Sequence, residues 1–184
     1  MTLTTTQPSG ASDATANALN QRESTAGTNP LFSASHLTKR YGTNTVVDDL
    51  SFEIAPGECF GIIGPNGAGK TTTLKMCLGQ LQPDSGTVTA FGLSVSSHLL
   101  DVKSRMGVVS QFDTLDPDFT CEENILAYGR YYGIPDKEIR ARFPQLLELD
   151  ALRHQAKSRP GELSGGMKRR LSLARALVNR PLLL

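Results

Sequence analysis

Eight consecutive residues, Gly64-Pro65-Asn66-Gly67-Ala68-Gly69-Lys70-Thr71, constrain this chain more than any other stretch. They match the pattern GxxxxGK[ST] in full and stand between an apolar run and a segment of helical texture. The run Glu58-Cys59-Phe60-Gly61-Ile62-Ile63, bounded by Pro56-Gly57 and Gly64-Pro65, reads as a short interior strand. A helix is predicted from about Gly69 to Leu78. Glycines let the backbone curl until successive N–H groups point into one concavity, and the helix start adds its positive end. That geometry suits phosphate. Lys70 supplies a point charge for β- and γ-phosphates, Thr71 offers a hydroxyl to Mg²⁺, and Thr72 completes the phosphate-binding set.

The rest of the chain agrees with an α/β reading. Leu31 to Arg40, Thr45 to Ile54, Gly86 to Phe91 and Met106 to Ser110 carry the apolar alternation of strands. Thr120-Cys121-Glu122-Glu123 has the form of a capping box that opens a helix from Glu122 to Tyr132. A second helix is predicted over Asp136 to Leu149, with Pro144 bending or dividing it, and a third over Met167 to Val178. Pro181 to Leu184 starts an apolar run and stops, which reads as a strand cut short in a fragment.

Residues 1–30 differ in texture from residues 31–184. Ten are Ser or Thr, three are charged, and Met1, Leu3 and Leu19 are the only large apolar side chains, so a disordered tail is expected. With 19 Lys and Arg against 18 Asp and Glu, the chain lacks the basic excess of a dedicated nucleic-acid binder. No apolar run reaches the ~18–20 residues of a membrane-spanning helix. Cys59, Cys77 and Cys121 are odd in number and form no CxxC pair, so neither a disulfide framework nor a zinc site is expected, and a reducing cytoplasm is the default.

A second glycine motif, Leu163-Ser164-Gly165-Gly166-Met167, is followed by Lys168-Arg169-Arg170. Ser164 suits an N-cap, and the two glycines leave free amides at a helix start. Three cations there oppose the helix dipole unless an anion lies nearby.

Taken together, the phosphate loop, Gln111 at the end of a strand, and Leu163 to Met167 before a basic helix resemble ATP-binding-cassette (ABC) ATPases across residues 31–184. The resemblance implies a P-loop NTPase cassette: a RecA-like core, an antiparallel β subdomain and a helical subdomain at about 114–160, incomplete at the C-terminus. It implies ATP and Mg²⁺ as ligands and a head-to-tail dimer with a second copy of the chain. In that dimer Ser164, Gly165 and Gly166 touch the γ-phosphate held by the other subunit. Met167 stands where the family usually has glutamine. Tyr41 takes the position of an aromatic that stacks on adenine. Gln111 takes that of a glutamine meeting Mg²⁺ and the attacking water, and sensing the membrane partner.

The family's second metal motif, an apolar strand ending in Asp and followed by a catalytic Glu, would begin at Leu182-Leu183-Leu184. Neither carboxylate is present, nor is the later switch histidine, so little hydrolysis is expected of these residues alone. His36, His98 and His154 stand in no motif. The wording of 55–61, 106–116 and 129–133 is similar to bacterial exporters grouped with drug-resistance and nodulation-factor systems. That implies an ATPase subunit at the cytoplasmic face of the inner membrane, docked on a separate integral permease. The cargo would be a nodulation factor or a drug-like or lipid-linked compound. The rival readings are a GTPase, a kinase, a soluble non-transport ABC ATPase and an inactive truncated module. A GTPase would carry Asn-Lys-x-Asp, and no Asn here is followed by Lys. A kinase would not need Leu-Ser-Gly-Gly.

Overall fold

Threonine is β-branched and favours extended backbone, and the threonine-rich start of the chain forms a strand, β1 (Thr2–Thr6). The computed structural model describes residues 2–6, 29–112, 114–148 and 152–184. Next in order are β2 (Phe32–Tyr41), β3 (Asn44–Ile54), β4 (Cys59–Ile63), α1 (Lys70–Cys77), β5 (Ser85–Ala90) and β6 (Leu93–Ser94). After them come α2 (Leu99–Ser104), α3 (Cys121–Tyr131), α4 (Asp136–Glu148) and α5 (Gly165–Ala176), with 3-10 turns at Arg153–Gln155 and Pro160–Glu162.

The chain divides into two compact units, Met1–Val102 and Lys103–Leu184. In the first, four strands form an antiparallel sheet in the order β3-β2-β5-β6. The β2–β3 ladder runs from Phe32 opposite Ile54 to Tyr41 opposite Asn44, with bulges between Ala34 and Arg40. Phe32 and Ala34 on β2 and Val88 and Ala90 on β5 are buried at the period of two that strands require, and Leu37 is buried again past the register shift, as is Val47 on β3. Phe32, Phe52 and Phe60 stack in series, with ring centroids 6.0 and 4.7 Å apart. Met76 and Cys77 bury the inner side of α1.

A two-stranded sheet pairs β1 antiparallel with β4, Thr2 opposite Ile63 and Thr6 opposite Cys59. This corrects the expectation of a disordered tail at its first residues. Unpaired strand edges are templates for extended backbone, and the edge of β4 takes up the threonine run. Met1 and residues 7–28, also placed in that tail, lie outside the described residues.

The second unit is built on α3, α4 and α5. Ile125, Ile139, Leu152, Leu171 and Val178 are fully buried in one cluster with Leu115, Phe143, Leu146 and Leu163. Each such side chain contributes about 1.5–3 kcal/mol by leaving water. The expected capping box is present: Thr120 Oγ1 accepts from the Glu123 N–H at 3.3 Å, and the Glu123 carboxylate accepts from the Thr120 N–H at 2.8 Å. Pro144 lies within α4 without dividing it. The strand predicted at Met106 to Ser110 reduces to one parallel bridge, Met106 to Leu183. Apolar alternation makes a strand only where a partner lies alongside.

Candidate functional site

Between β4 and α1 the backbone makes two left-handed steps, at Gly67 (φ 83°) and Gly69 (φ 83°). Residues with a Cβ rarely adopt that region. Gly69 is also the N-cap of α1 and makes no side-chain cap, so the helix start stays open. The first N–H groups of such a helix have no intrahelical partner, and no acidic side chain lies in its first turn. The loop closes on itself where the Ala68 N–H donates to the Pro65 carbonyl at 3.2 Å. Lys70 folds back over it, its Nζ donating to the carbonyls of Gly64 and Pro65, each at 2.7 Å. The ammonium is thereby held against the loop's rim. Thr71 is exposed in the first turn, and Thr72 is half-buried beside it.

At the end of β2, Tyr41 precedes the Gly42-Thr43 turn with 52% of its surface exposed. The Lys39 Nζ lies 5.9 Å from its ring centroid. Lys39 also donates to Asp84 Oδ1 at 2.8 Å and to the Gln82 carbonyl at 2.9 Å, while the Arg40 N–H donates to Asp84 Oδ2 at 2.7 Å. Asp84 thus ties the strand that ends in Tyr41 to the entrance of β5. Its carboxyl is held below the ordinary carboxylate value, first by the Lys39 hydrogen bond and then by the Arg40 N–H.

In the second unit, Ser164 caps α5, its Oγ accepting from the Met167 N–H at 3.3 Å. Leu163 is buried and anchors the motif to the core. Gly165 and Gly166 are exposed and right-handed, and a Cβ built on either meets no atom within 4 Å. Among the described residues, nothing requires glycine at these two positions. Gln111 is exposed and followed by Phe112, which is 79% exposed. The Ser110 carbonyl before it accepts from Arg169 Nη1. Arg175, 9% exposed, donates to the Thr114 carbonyl at 2.7 Å and to Thr114 Oγ1, and lies 4.7 Å over the Tyr128 ring.

Within α3, Asn124 is 3% exposed and fully bonded. Its Nδ2 donates to the carbonyls of Asp116, Phe119 and Thr120 at 3.0–3.2 Å, and its Oδ1 accepts from the Asp116 N–H at 2.8 Å.

The residues expected from the sequence fall into two groups. Gly64 to Thr72 and Tyr41 belong to Met1–Val102; Gln111 and Leu163 to Met167 belong to Lys103–Leu184. Asp84 and Arg175 carry no sequence signal of their own, because each acts through a partner outside any local motif; Arg169 stands out only as one of three cations against the helix dipole, and Asn124 not at all. His36, His98 and His154 are all exposed, and the His36 Nδ1 lies 2.7 Å from Asp49. The cysteines are free thiols, with Cys59 exposed and Cys77 and Cys121 buried. Burial pushes the Cys77 thiol up to about 12. Among the described residues, no group of three or more His, Cys, Asp or Glu could hold a metal ion. No described helix is long and apolar enough to cross a membrane.

An open glycine loop on a helix start, an antiparallel sheet and a capped Ser-Gly-Gly helix define a cassette ATPase fold. The ABC transporter family profile matches residues 47–184, and the chain belongs to that family. Among curated relatives, it is 58% identical over 143 residues to Nod factor export ATP-binding protein I of Paraburkholderia xenovorans (strain LB400), covering 78% of this chain and 47% of that protein. It is 52% identical over 155 residues to the protein of the same name in Ralstonia nicotianae (strain ATCC BAA-1114 / GMI1000), covering 84% and 48%. The chain thus spans about half the length of these relatives. A solved ATP binding subunit of an ABC transporter superposes with a TM-score of 0.70 at 25% identity, covering 82% of this chain and 63% of that one.

Proposed function

We propose that the protein binds and hydrolyses ATP to power a bacterial exporter through a separate integral membrane permease, at the cytoplasmic face of the inner membrane. One observation carries the reading: the Gly64–Gly69 loop holds the Lys70 ammonium 2.7 Å from two of its own carbonyls at an open helix start. An ammonium has three donors, and the third serves a phosphate oxygen. Gly64, Pro65, Asn66, Gly67, Ala68 and Gly69 form the cradle, with the amides of Lys70, Thr71 and Thr72 at its floor. The exposed Tyr41 ring offers a face to adenine.

Mg²⁺ fits the residues present. It favours oxygen ligands and leans on substrate phosphates, so the Thr71 hydroxyl would hold it at the helix start, and the resemblance implies the Gln111 amide oxygen as a second ligand. The ion would offset charge on the transferring phosphoryl group. Gln111, uncharged, orients the attacking water.

The open space over Gly165 and Gly166 supports a head-to-tail dimer. A phosphate held by a second copy approaches Ser164, Gly165 and Gly166 there, with Leu163 and Met167 framing the turn. Residues 114–160 serve as the helical subdomain. The Nod factor exporter names of the relatives favour export of a nodulation factor or another lipid-linked compound.

The test is Gly165→Asp in the full protein. The side chain enters open space, so the monomer keeps its helix content and its MgATP affinity. Its carboxylate repels the incoming phosphate, so ATP-dependent dimers vanish in gel filtration and turnover is lost. Normal dimers and normal turnover would refute the in-trans role.

A further inference from the structure

Helix α5 holds both ends of the short segment that carries Gln111. At the near end, Arg169 Nη1 donates to the Ser110 carbonyl. At the far end, Arg175 bonds both the carbonyl and the hydroxyl of Thr114 while its guanidinium covers Tyr128. A guanidinium can do all three at once because its planar fork presents several donors and a stacking face; an ammonium cannot. Among the described residues, the strand pairing next to this segment is the bridge from Met106 to Leu183.

Gln111 and Phe112, which follow the anchored Ser110, are both exposed. The same bond accounts for a cation placed early in α5, where the helix dipole disfavours it: Arg169 is turned onto a carbonyl of the neighbouring segment.

We propose that Arg169 and Arg175 are positioning residues for Gln111, clamping its segment to the helix whose first turn bears Ser164, Gly165 and Gly166. The Gln111 amide and the Ser-Gly-Gly turn are then carried by one element and move together. The clamp's consequence for turnover rests on the ATPase reading, but the clamp itself is a property of the free chain.

The chain contains no tryptophan, so Phe112→Trp places a single fluorophore on the clamped segment. Without nucleotide, adding Arg169→Ala should raise the fast, sub-nanosecond part of the tryptophan anisotropy decay while far-UV circular dichroism stays the same. Arg169→Lys, which keeps the charge and a hydrogen-bond donor group on a shorter side chain, should restore part of the order. In the full protein with Phe112 intact, Arg169→Ala should lower kcat about fivefold with KM for MgATP unchanged, and should cost nothing further on a Gln111→Ala background.

An anisotropy decay indifferent to Arg169→Ala would overturn the clamp, as would an equal loss of kcat with and without Gln111. Arg175→Lys should loosen the segment in the same way. If that variant does not fold, the exposed Arg169 decides the matter. Absence of ATPase activity in the unmodified protein would count against the proposed function alone, because the fluorescence readout needs no nucleotide.

Discussion

Gly69 lies so close over β3 that a Cβ on it would sit 2.6 Å from the carbonyl oxygen of Val46 and 3.2 Å from Val47 Cγ2. The Gly64–Gly69 loop is therefore pressed onto the antiparallel sheet, and its last glycine is fixed by both contact and torsion. Gly69→Ala should destabilise the protein by at least about 1–3 kcal/mol from the left-handed backbone alone, with the clash adding to it. Urea unfolding followed by circular dichroism measures this. A stability equal to wild type would mean that the loop does not rest on β3.

The loop was legible because all its determinants are local: an apolar strand, glycines at the required steps and a lysine at the helix start lie close together in the chain. The capping box at Thr120 and Glu123 was legible for the same reason. What escaped the sequence depends on partners brought in by the fold. The strand at Thr2–Thr6 exists through the edge of β4, far along the chain at Cys59–Ile63. Met106 to Ser110 has strand-like alternation, but among the described residues its one strand-type bridge is Met106 to Leu183. Arg175 reads as an ordinary cation on an amphipathic helix and Arg169 as one of three cations that call for a nearby anion; only the tertiary structure brings them to Thr114 and to the Ser110 carbonyl. Asn124, in the sequence, is one more polar residue in a helix; its bonds appear once the loop from Asp116 to Thr120 folds over it.

That loop supplies the second prediction. Asn124→Ala removes a buried side chain and takes a partner from the Asp116 N–H and from the carbonyls of Asp116 and Phe119, while the Thr120 carbonyl keeps its bond from the residue 124 N–H. The expected cost is about 2–3 kcal/mol, with the loss of order centred on residues 116–120. Hydrogen exchange at the Asp116 amide measures it, and protection equal to wild type would contradict the stapling role.

Acid stability provides a third. Asp84 is held below its ordinary value of 3.8 by Lys39 and then the Arg40 N–H, Asp136 below 3.8 by Arg130, and Glu123 below 4.5 by the Thr120 N–H and hydroxyl. A carboxyl with a lowered folded-state pKa contributes its full stabilisation above its unfolded value and loses it as pH falls through the folded one. The urea midpoint should therefore hold from about pH 7 to about pH 5 as far as these groups are concerned, then fall with further acid. Asp136→Asn removes the Arg130 pair and should make that fall shallower. An equally steep fall in the variant would show that the pair contributes nothing to the acid limb.

The most direct measurement is isothermal titration calorimetry of the protein with MgATP, comparing wild type with Lys70→Ala. Removing one charge-assisted contact to phosphate should weaken binding by about 10–100-fold, with the fold intact by circular dichroism, because Lys70 is not part of either buried core. Saturable binding in wild type and its loss to that extent in Lys70→Ala is the predicted result. No binding by the folded wild type, or equal affinity in the two proteins, would contradict a nucleotide-phosphate site at Gly64–Thr72.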